Sequence, residues 1–246
     1  ALSDLAAEGA AAIGVLAAIA LPEGLRSDFL PQLMTGVGDA AEACGGRVLG
    51  GDLSRAPLVT VTVTVVGTAE RPVRRHGARP GDGVWVTGRF GGPRAALVAF
   101  ERNEQPAPEA RASFCHSTPR IAAGMWLAAH GATAMIDVSD GLAGDARHLA
   151  AASGAALIID LERVPRHASV DAVALSLGEH PAHFAARGGE DYELLCTLPA
   201  DFRGTEQFER EVGLPLTRIG TVDQGSGVAF LDGGTPVQLQ GYDHFA

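Results

Sequence analysis

The chain has 246 residues, of which 46% are hydrophobic and 20% charged, and its formal net charge is −10. This composition excludes a disordered chain and is typical of a globular protein with one large domain or two modest ones. Because no basic run offsets the negative charge, we expect no nucleic-acid partner. No apolar run is long enough to cross a bilayer, so we also expect no membrane association.

All 19 basic residues are arginine, and the chain contains no lysine. A Walker-A phosphate loop, the strand lysine of a protein kinase and a pyridoxal Schiff base each require a lysine, so these classes are excluded. The three cysteines, Cys44, Cys115 and Cys196, lack the spacing of a metal site. We therefore expect buried thiols in a reduced compartment, and a cytoplasmic protein.

The first part of the chain predicts two helices and at least two strands. A short helix should open the chain and end at Gly9, and residues 23–44 should form a second helix. The apolar run at residues 10–22 fits either a helix or a buried strand. "RVLGGDLSR" predicts a short strand that runs into a glycine turn. "LVTVTVTVVGT" alternates with period 2 and predicts a strand with one apolar face and one hydroxyl face.

A turn rich in glycine and proline, "RRHGARPGDGVWVTG", leads into a new strand and predicts the boundary between two lobes, residues 1–78 and 79–246. Beyond it, helical and strand patterns alternate, and residues 105–110, with two prolines, should form a surface loop. The helices are expected at residues 92–102, 119–130, 141–152 and 201–212. The strands are expected at residues 133–138, 156–161, 192–198, 218–222 and 228–231. This order predicts an α/β or α+β fold.

The stretch "MIDVSDGLAGD" places Asp137, Asp140 and Asp145 close together beside Ser139. Helix capping would explain Ser139 and Asp140, and Asp145 would suit the first helical turn. Capping does not explain Asp137, since an unpaired carboxylate at the end of an apolar strand is costly. A bound Mg²⁺ would remove that cost, because this ion prefers hard oxygen ligands and usually retains phosphate as a further ligand. Both interpretations remain open at this point.

Further polar residues lie in glycine-containing stretches or on the first helix, and each alone is explained by a plain turn or a solvated surface. They are Asp4, Asp52, Glu190, Asp191 and the arginines Arg74, Arg75 and Arg79. Arginine is a natural bidentate partner of phosphate. Together these residues favour a nucleotide site in which several Mg²⁺ ions, rather than a lysine, neutralise the phosphates.

Six motifs occur in an order and spacing that resembles the thiamine-monophosphate kinase family, of the aminoimidazole ribonucleotide synthetase superfamily. They are "LSDLAAEGA", "GGDLSR", "RRHGARPGD", "IDVSDGLAGD", "GGEDYEL" and the terminal "GYDHF". The first and fourth alone would indicate only the superfamily, which includes selenophosphate synthetase and hydrogenase-maturation proteins. "GGEDYEL" together with "GYDHF" indicates the thiamine enzymes.

The resemblance implies transfer of the ATP γ-phosphoryl group to thiamine monophosphate by direct in-line displacement, with several Mg²⁺ ions and no phospho-enzyme. It also implies a homodimer, in which the N-terminal lobes contribute strands to a shared barrel and each C-terminal lobe is α/β. The attacking phosphate oxygen is already anionic near neutral pH, so we expect no catalytic general base.

The motif match also implies roles for individual residues. Metal ligands would be Asp4, Asp52, Asp137 and Asp140. The ATP contacts would be Gly51, Asp52, Arg75 and Ser139. Glu190 and Tyr242 would contact the substrate, with Tyr242 stacking near the thiamine rings.

The chain departs from the family pattern in three places. Glu8 stands where methionine is usual, Leu53 replaces a common threonine, and no upstream "GDDAA" motif is present. We therefore expect that an upstream segment is missing, that these residues alone have weak or absent kinase activity, and that a longer parent is active. Two alternatives remain: an ATP-dependent enzyme of the superfamily with another acceptor, or an inactive dimeric protein that binds nucleotide or thiamine phosphate.

Overall fold

The chain folds as a mixed α/β protein with two separate β-sheets, as the sequence predicts. The structure is a computed structural model that describes residues 1–241. The strands are β1 Ala11–Leu21, β2 Val48–Arg55, β3 Thr60–Thr68, β4 Gly83–Thr87, β5 Ala134–Asp137, β6 Ala156–Asp160, β7 Leu194–Leu198, β8 Leu216–Asp223, β9 Gly227–Asp232 and β10 Thr235–Val237. The α-helices are α1 Leu2–Ala7, α2 Phe29–Ala43, α3 Gly92–Glu101, α4 Pro108–Cys115, α5 Ile121–Ala129, α6 Leu142–Ser153, α7 Val170–Ser176, α8 Pro181–Arg187 and α9 Thr205–Val212.

The N-terminal sheet has three strands in the order β2-β1-β3, with β1 parallel to β2 and antiparallel to β3. The ambiguous apolar run at residues 10–22 is thus a strand. The two-faced alternation of β3 is confirmed: Thr62 is exposed and lies opposite Ala18, whereas Val63 lies opposite Ala17 and lines a cleft with Leu33 of α2. Helix α2 therefore covers the valine face and leaves the threonine face open.

The expected glycine turn in "RVLGGDLSR" is wrong, because β2 runs through it without interruption. Gly51 pairs with Ala17 of β1, and a Cβ atom at Gly51 would collide with the carbonyl oxygen of Ala17. Glycine is needed here for a close approach of two strands rather than for a change of direction.

The C-terminal sheet has seven strands in the order β10-β9-β6-β8-β4-β7-β5. All pairs are antiparallel except β6 with β9. Alternate residues of β4 point to opposite faces, and both faces are buried: Val84 and Val86 join one apolar cluster, and Trp85 joins the other. The sheet is therefore the middle layer of this part of the protein.

Several elements differ from the sequence expectations. The predicted loop at residues 105–110 ends inside a helix, since α4 begins at Pro108, and α7 and α8 were not predicted. Helix α2 begins only at Phe29, after the Asp28 N-cap. No helix in the described part of the chain is long and apolar enough to cross a bilayer.

The expectation of three buried thiols is wrong for two of the cysteines. Cys196 is buried in the sheet, where burial raises the pKa of its thiol to about 12. Cys44 is only partly buried, and Cys115 is exposed. All three are free thiols.

A buried ion pair joins α5 to the sheet. Glu193, just before β7, is 4% exposed, and its carboxylate accepts two hydrogen bonds from the Arg120 guanidinium, at 2.6 and 3.0 Å. Thr87, the last residue of β4, donates to the same carboxylate at 2.6 Å and accepts the backbone N–H of Leu194 at 2.8 Å. The start of β7 is thereby fixed relative to β4 and α5.

We expect Arg120→Met to lower the free energy of unfolding by about 3–5 kcal/mol, because it leaves the buried Glu193 carboxylate without its counter-ion. Urea denaturation monitored by circular dichroism measures this loss. Arg166→Met is the matched control. It breaks a more exposed 2.9 Å pair with Asp171, for which we expect a change of about 1 kcal/mol or less. Equal losses of unfolding free energy in the two variants would show that the Arg120–Glu193 ion pair stabilises the fold no more than an exposed pair does.

Candidate active site

The loop after β5 carries the aspartates that the sequence singled out. Asp137 ends β5 and is 6% exposed. Helix α6 has Gly141 as its N-cap and no side-chain capping bond, so Ser139 and Asp140 do not cap it. Instead the backbone N–H of Asp140 donates to the Asp145 carboxylate at 3.0 Å. Capping of α6 therefore does not explain why Ser139 and Asp140 occur here.

Four carboxylates influence one another at this point. Burial raises the pKa of Asp137, and the nearby charge of Asp4, on α1, raises it further. Burial also raises the pKa of Asp145 to about 7, with added repulsion from the charges of Asp140 and Asp137. Such a cluster is unfavourable when it is fully ionised, and a divalent cation held by hard oxygen atoms would remove the repulsion.

The segment before β7 lies alongside this loop. The backbone N–H of Glu190 donates to the Ser139 carbonyl, and that of Tyr192 donates to the Val138 carbonyl, each at 2.8 Å. Glu190 and Tyr192 both have positive φ, 67° and 50°, and the Tyr192 hydroxyl donates to the Glu190 carboxylate at 3.1 Å. Residues other than glycine adopt this conformation only where their surroundings enforce it. The loop after β5 thus fixes the Glu190 backbone, and Tyr192 contacts its side chain.

Glycines allow these two segments to touch backbone to backbone. A Cβ atom at Gly189 would lie 2.7 Å from the Ser139 carbonyl oxygen. A Cβ atom at Gly141 would lie 2.8 Å from the Gly188 carbonyl oxygen, and Gly141 also has a φ of 95°. Gly189 and Gly141 are therefore required by the contact between the segments, which contain the predicted Glu190, Ser139 and Asp140.

A cavity of about 630 Å³ opens beside this contact, which is within the usual range for small-molecule sites. Ser139, Asp140 and Glu190 line one side of it. The lining also includes Arg94 and Leu97 of α3, Arg102 at the C-cap of α3, and Phe114 of α4. The structure therefore brings together a predicted ATP contact, a predicted metal ligand and a predicted substrate contact.

A second cleft brings together Asp4 and Arg75. It is lined by residues of α1, of the arginine-containing segment and by Met135 of β5. The backbone N–H of Met135 donates to the Arg74 carbonyl at 3.0 Å, which holds the arginine segment beside β5. Because the Asp4 charge also affects Asp137, this cleft lies next to the carboxylate cluster.

Two predicted site residues lie elsewhere. Gly51 and Asp52 are on the exposed edge strand β2, where Asp52 lies opposite Ala18, and they line neither of the two clefts described above. Tyr242 lies outside the described residues. The last described residue, Gly241, packs against Gly144 near the start of α6.

From the sequence, Asp191 is either a turn acid or one of the polar residues of a possible nucleotide site, and its burial is not predicted. One Asp191 carboxyl oxygen accepts the backbone N–H of Gly91 at 2.8 Å. The other is buried and has no hydrogen-bond partner in the described part of the chain. Burial holds the pKa of this carboxyl well above its usual range. Arg94, which pairs with Glu179 at 3.0 Å and lies over the Phe184 ring, was also missed. No local pattern marks either residue.

Two parts of the chain match the two domains of a known family. Residues 1–69 match the family described as AIR synthase related protein, N-terminal domain, and residues 79–232 match its C-terminal domain. The chain is thus an AIR synthase related protein with both domains of that family.

The curated relatives narrow this assignment. The chain is 38% identical to a thiamine-monophosphate kinase from Halobacterium salinarum over 94% of this chain and 77% of the relative. It is 35% identical to one from Aquifex aeolicus over 99% of this chain and 78% of the relative. A crystal structure described as AaThiL complexed with AMPPCP and TMP superposes with a TM-score of 0.87, at 33% identity, over 99% of this chain and 77% of that one. The chain belongs to the thiamine-monophosphate kinase family.

Asp191→Asn tests the buried carboxyl beside the site. An aspartate of ordinary pKa, about 3.9, ionises in the unfolded chain, whereas the folded protein keeps Asp191 protonated to a higher pH. The contribution of Asp191 to the free energy of unfolding is therefore lost progressively as pH rises above about 4. Asparagine cannot ionise and still accepts the Gly91 N–H, so we expect the stability of the variant relative to wild type to increase with pH.

Urea unfolding at pH 5 and at pH 8 measures this difference. Asp201→Asn, at an exposed aspartate, is the matched control and should show no such trend. If the difference between Asp191→Asn and wild type is the same at both pH values, the carboxyl of Asp191 is not protonated in the folded protein.

Proposed function

We propose that this protein transfers the γ-phosphoryl group of ATP to thiamine monophosphate, giving thiamine diphosphate and ADP. The observation that carries the proposal is the cluster of Asp4, Asp137, Asp140 and Asp145 beside a cavity lined by Ser139 and Glu190. Family membership supports the same reaction, as does the likeness to a structure described with AMPPCP and TMP.

The side chains at this site suit Mg²⁺. Asp137 is buried, and Asp4 and Asp140 lie within electrostatic range of the acidic cluster, so several hard oxygen donors converge. We propose Asp4, Asp52, Asp137 and Asp140 as the ligands. When bound, Mg²⁺ supplies the positive charge that neutralises the transferring phosphoryl group.

The chain's own residues supply alignment and charge. Phosphoryl transfer through a loose transition state needs positioning more than a strong base, and the acceptor oxygen of thiamine monophosphate is already anionic. We propose that Arg75 binds the ATP phosphates and that Gly51, Asp52 and Ser139 contact the nucleotide. Glu190 and Tyr242 would hold the thiamine substrate. The backbone bonds that fix Glu190 to Ser139 would keep the two substrates in line.

The test measures thiamine diphosphate formation by this protein from ATP, thiamine monophosphate and Mg²⁺. We expect Asp140→Asn to lower kcat at least about a hundredfold, because it removes one charge from the metal site. Asp201→Asn should leave kcat unchanged.

The other outcomes distinguish the alternatives. ATP binding without thiamine diphosphate formation would favour an enzyme of the superfamily with a different acceptor. Binding of thiamine monophosphate without release of ADP would favour an inactive binding protein. Full activity of Asp140→Asn would remove Asp140 from the metal ligands.

We also propose that the protein is a homodimer joined through the N-terminal sheet. Strands β2 and β3 are both edge strands in the described chain, so each presents unpaired backbone groups. Large apolar side chains are exposed on or next to this sheet, including Leu53 at 58%, Leu58 at 74% and Val61 at 41%. An exposed apolar surface with open strand edges favours pairing with a second copy.

Leu53→Arg combined with Val61→Arg should give a monomer, since the new charges would be buried at the shared sheet. Light scattering after size-exclusion chromatography measures the mass in solution. Leu175→Arg, at a residue of α7 that is 69% exposed, should leave the mass unchanged. A dimer that persists in the double variant would exclude this surface as the interface.

The lobe assignment and the location follow from the same proposal. Residues 1–78 would serve dimerisation and the ATP and metal site, and residues 79–246 would serve the substrate and metal site. We propose the cytoplasm as the location, because ATP is available there and the three cysteines are free thiols.

A further inference from the structure

A cluster of two histidines and one aspartate lies outside the carboxylate site. The ligand atoms of His180, His183 and Asp232 all lie within 4.8 Å of one another. His183 Nε2 is 2.8 Å from Asp232 Oδ2, and His180 Nδ1 is 3.8 Å from the same oxygen. The two imidazole rings have their centroids 5.0 Å apart.

The fold holds the three residues in place from two sides. His180 is the N-cap of α8 and His183 lies in its first turn, so their spacing of three residues puts both rings on one side of the helix start. Asp232 ends β9, and the two glycines that follow, Gly233 and Gly234, have φ of 55° and 80° and turn the chain tightly into β10. Such a two-residue turn leaves Asp232 little freedom to move away.

We propose that His180, His183 and Asp232 bind a Zn²⁺ ion. Two imidazoles and one carboxylate are a common zinc ligand set, with a fourth position taken by water. Ligand atoms around a tetrahedral Zn²⁺ are about 3.3 Å apart when the bonds are about 2.0 Å. The two separations from Asp232 Oδ2, 2.8 and 3.8 Å, lie on either side of that value, and all three ligand atoms lie within 4.8 Å of one another.

The ligand chemistry separates this site from the carboxylate cluster. Imidazole nitrogen suits Zn²⁺, whereas Mg²⁺ prefers oxygen and retains its water molecules. Zn²⁺ should therefore bind here in the presence of the Mg²⁺ that a phosphoryl-transfer site uses. The three side chains are accessible to an ion from solvent, since they are 53%, 27% and 24% exposed.

A bound ion would tie the start of α8 to the β9–β10 hairpin. Helix α8 ends at Arg187, immediately before Gly188 and Gly189, which line the large cavity. An ion that binds only the folded state raises thermal stability. We therefore expect Zn²⁺ to raise Tm while the carboxylate ligands remain untouched.

The experiment titrates Zn²⁺ alone into the metal-free protein by calorimetry, in millimolar Mg²⁺ so that the oxygen sites are filled. We expect one saturable equivalent, and a Co²⁺ spectrum with the visible band of a four-coordinate site. His180→Asn and His183→Gln should each weaken Zn²⁺ binding at least about tenfold and abolish the rise in Tm. His148→Gln, at an exposed histidine of α6, is the matched control and should bind as wild type does.

Two results would overturn the proposal: no saturable Zn²⁺ equivalent in the wild type, or unchanged Zn²⁺ affinity in His180→Asn. In either case the 2.8 Å contact of His183 with Asp232 is a hydrogen bond only. His180 is the more exposed histidine, so its substitution should leave the fold intact, which circular dichroism in EDTA checks. Thiamine diphosphate formation is measured separately, and its absence would leave the zinc result unaffected.

Discussion

The arrangement of the candidate site depends on the direct backbone contact between the loop after β5 and the segment before β7. Glycines at 141 and 189 allow this contact, and hydrogen bonds to the carbonyls of Val138 and Ser139 hold it. Below it, the buried Glu193 carboxylate is held by Arg120 and Thr87. The unfavourable backbone conformations of Glu190 and Tyr192 are maintained because these surrounding interactions leave no alternative.

The same contact concentrates negative charge. Asp137 and Asp145 are buried and have raised pKa values, and Asp4 and Asp140 add repulsion. A protein without lysine has fewer means of holding polyphosphate, and arginine alone would not relieve this acidic cluster. Divalent cations resolve both problems, because they neutralise the carboxylates and the phosphates together. This balance of charge connects the composition of the chain to the proposed chemistry.

Local patterns predicted the elements that carry a clear period or a clear boundary. Period-2 alternation identified β3, and the apolar run followed by "DVSDG" identified β5 and the start of α6. Some errors are local, since α7 and α8 were not predicted and α4 begins inside the expected loop. The other errors concern interactions between distant residues. Gly51 faces Ala17 because of strand register, which a glycine pair does not encode, and a turn was therefore expected. The burial of Asp191 depends on a contact with Gly91, which is 100 residues away. The histidines of α8 meet Asp232 only because α8 packs near the hairpin, and α8 is too short for a clear helical period.

The position of Asp52 has a consequence for assembly. It lies on the exposed threonine face of an edge strand, in one row with Ala18 and Thr62, and it lines neither cleft near the carboxylate cluster. A role for Asp52 in binding ATP or metal therefore requires something to cover that face. Pairing of the open strand edges with a second copy would cover it. Under the proposed function, dimerisation then completes the site. A variant that no longer dimerises should therefore also lose kinase activity.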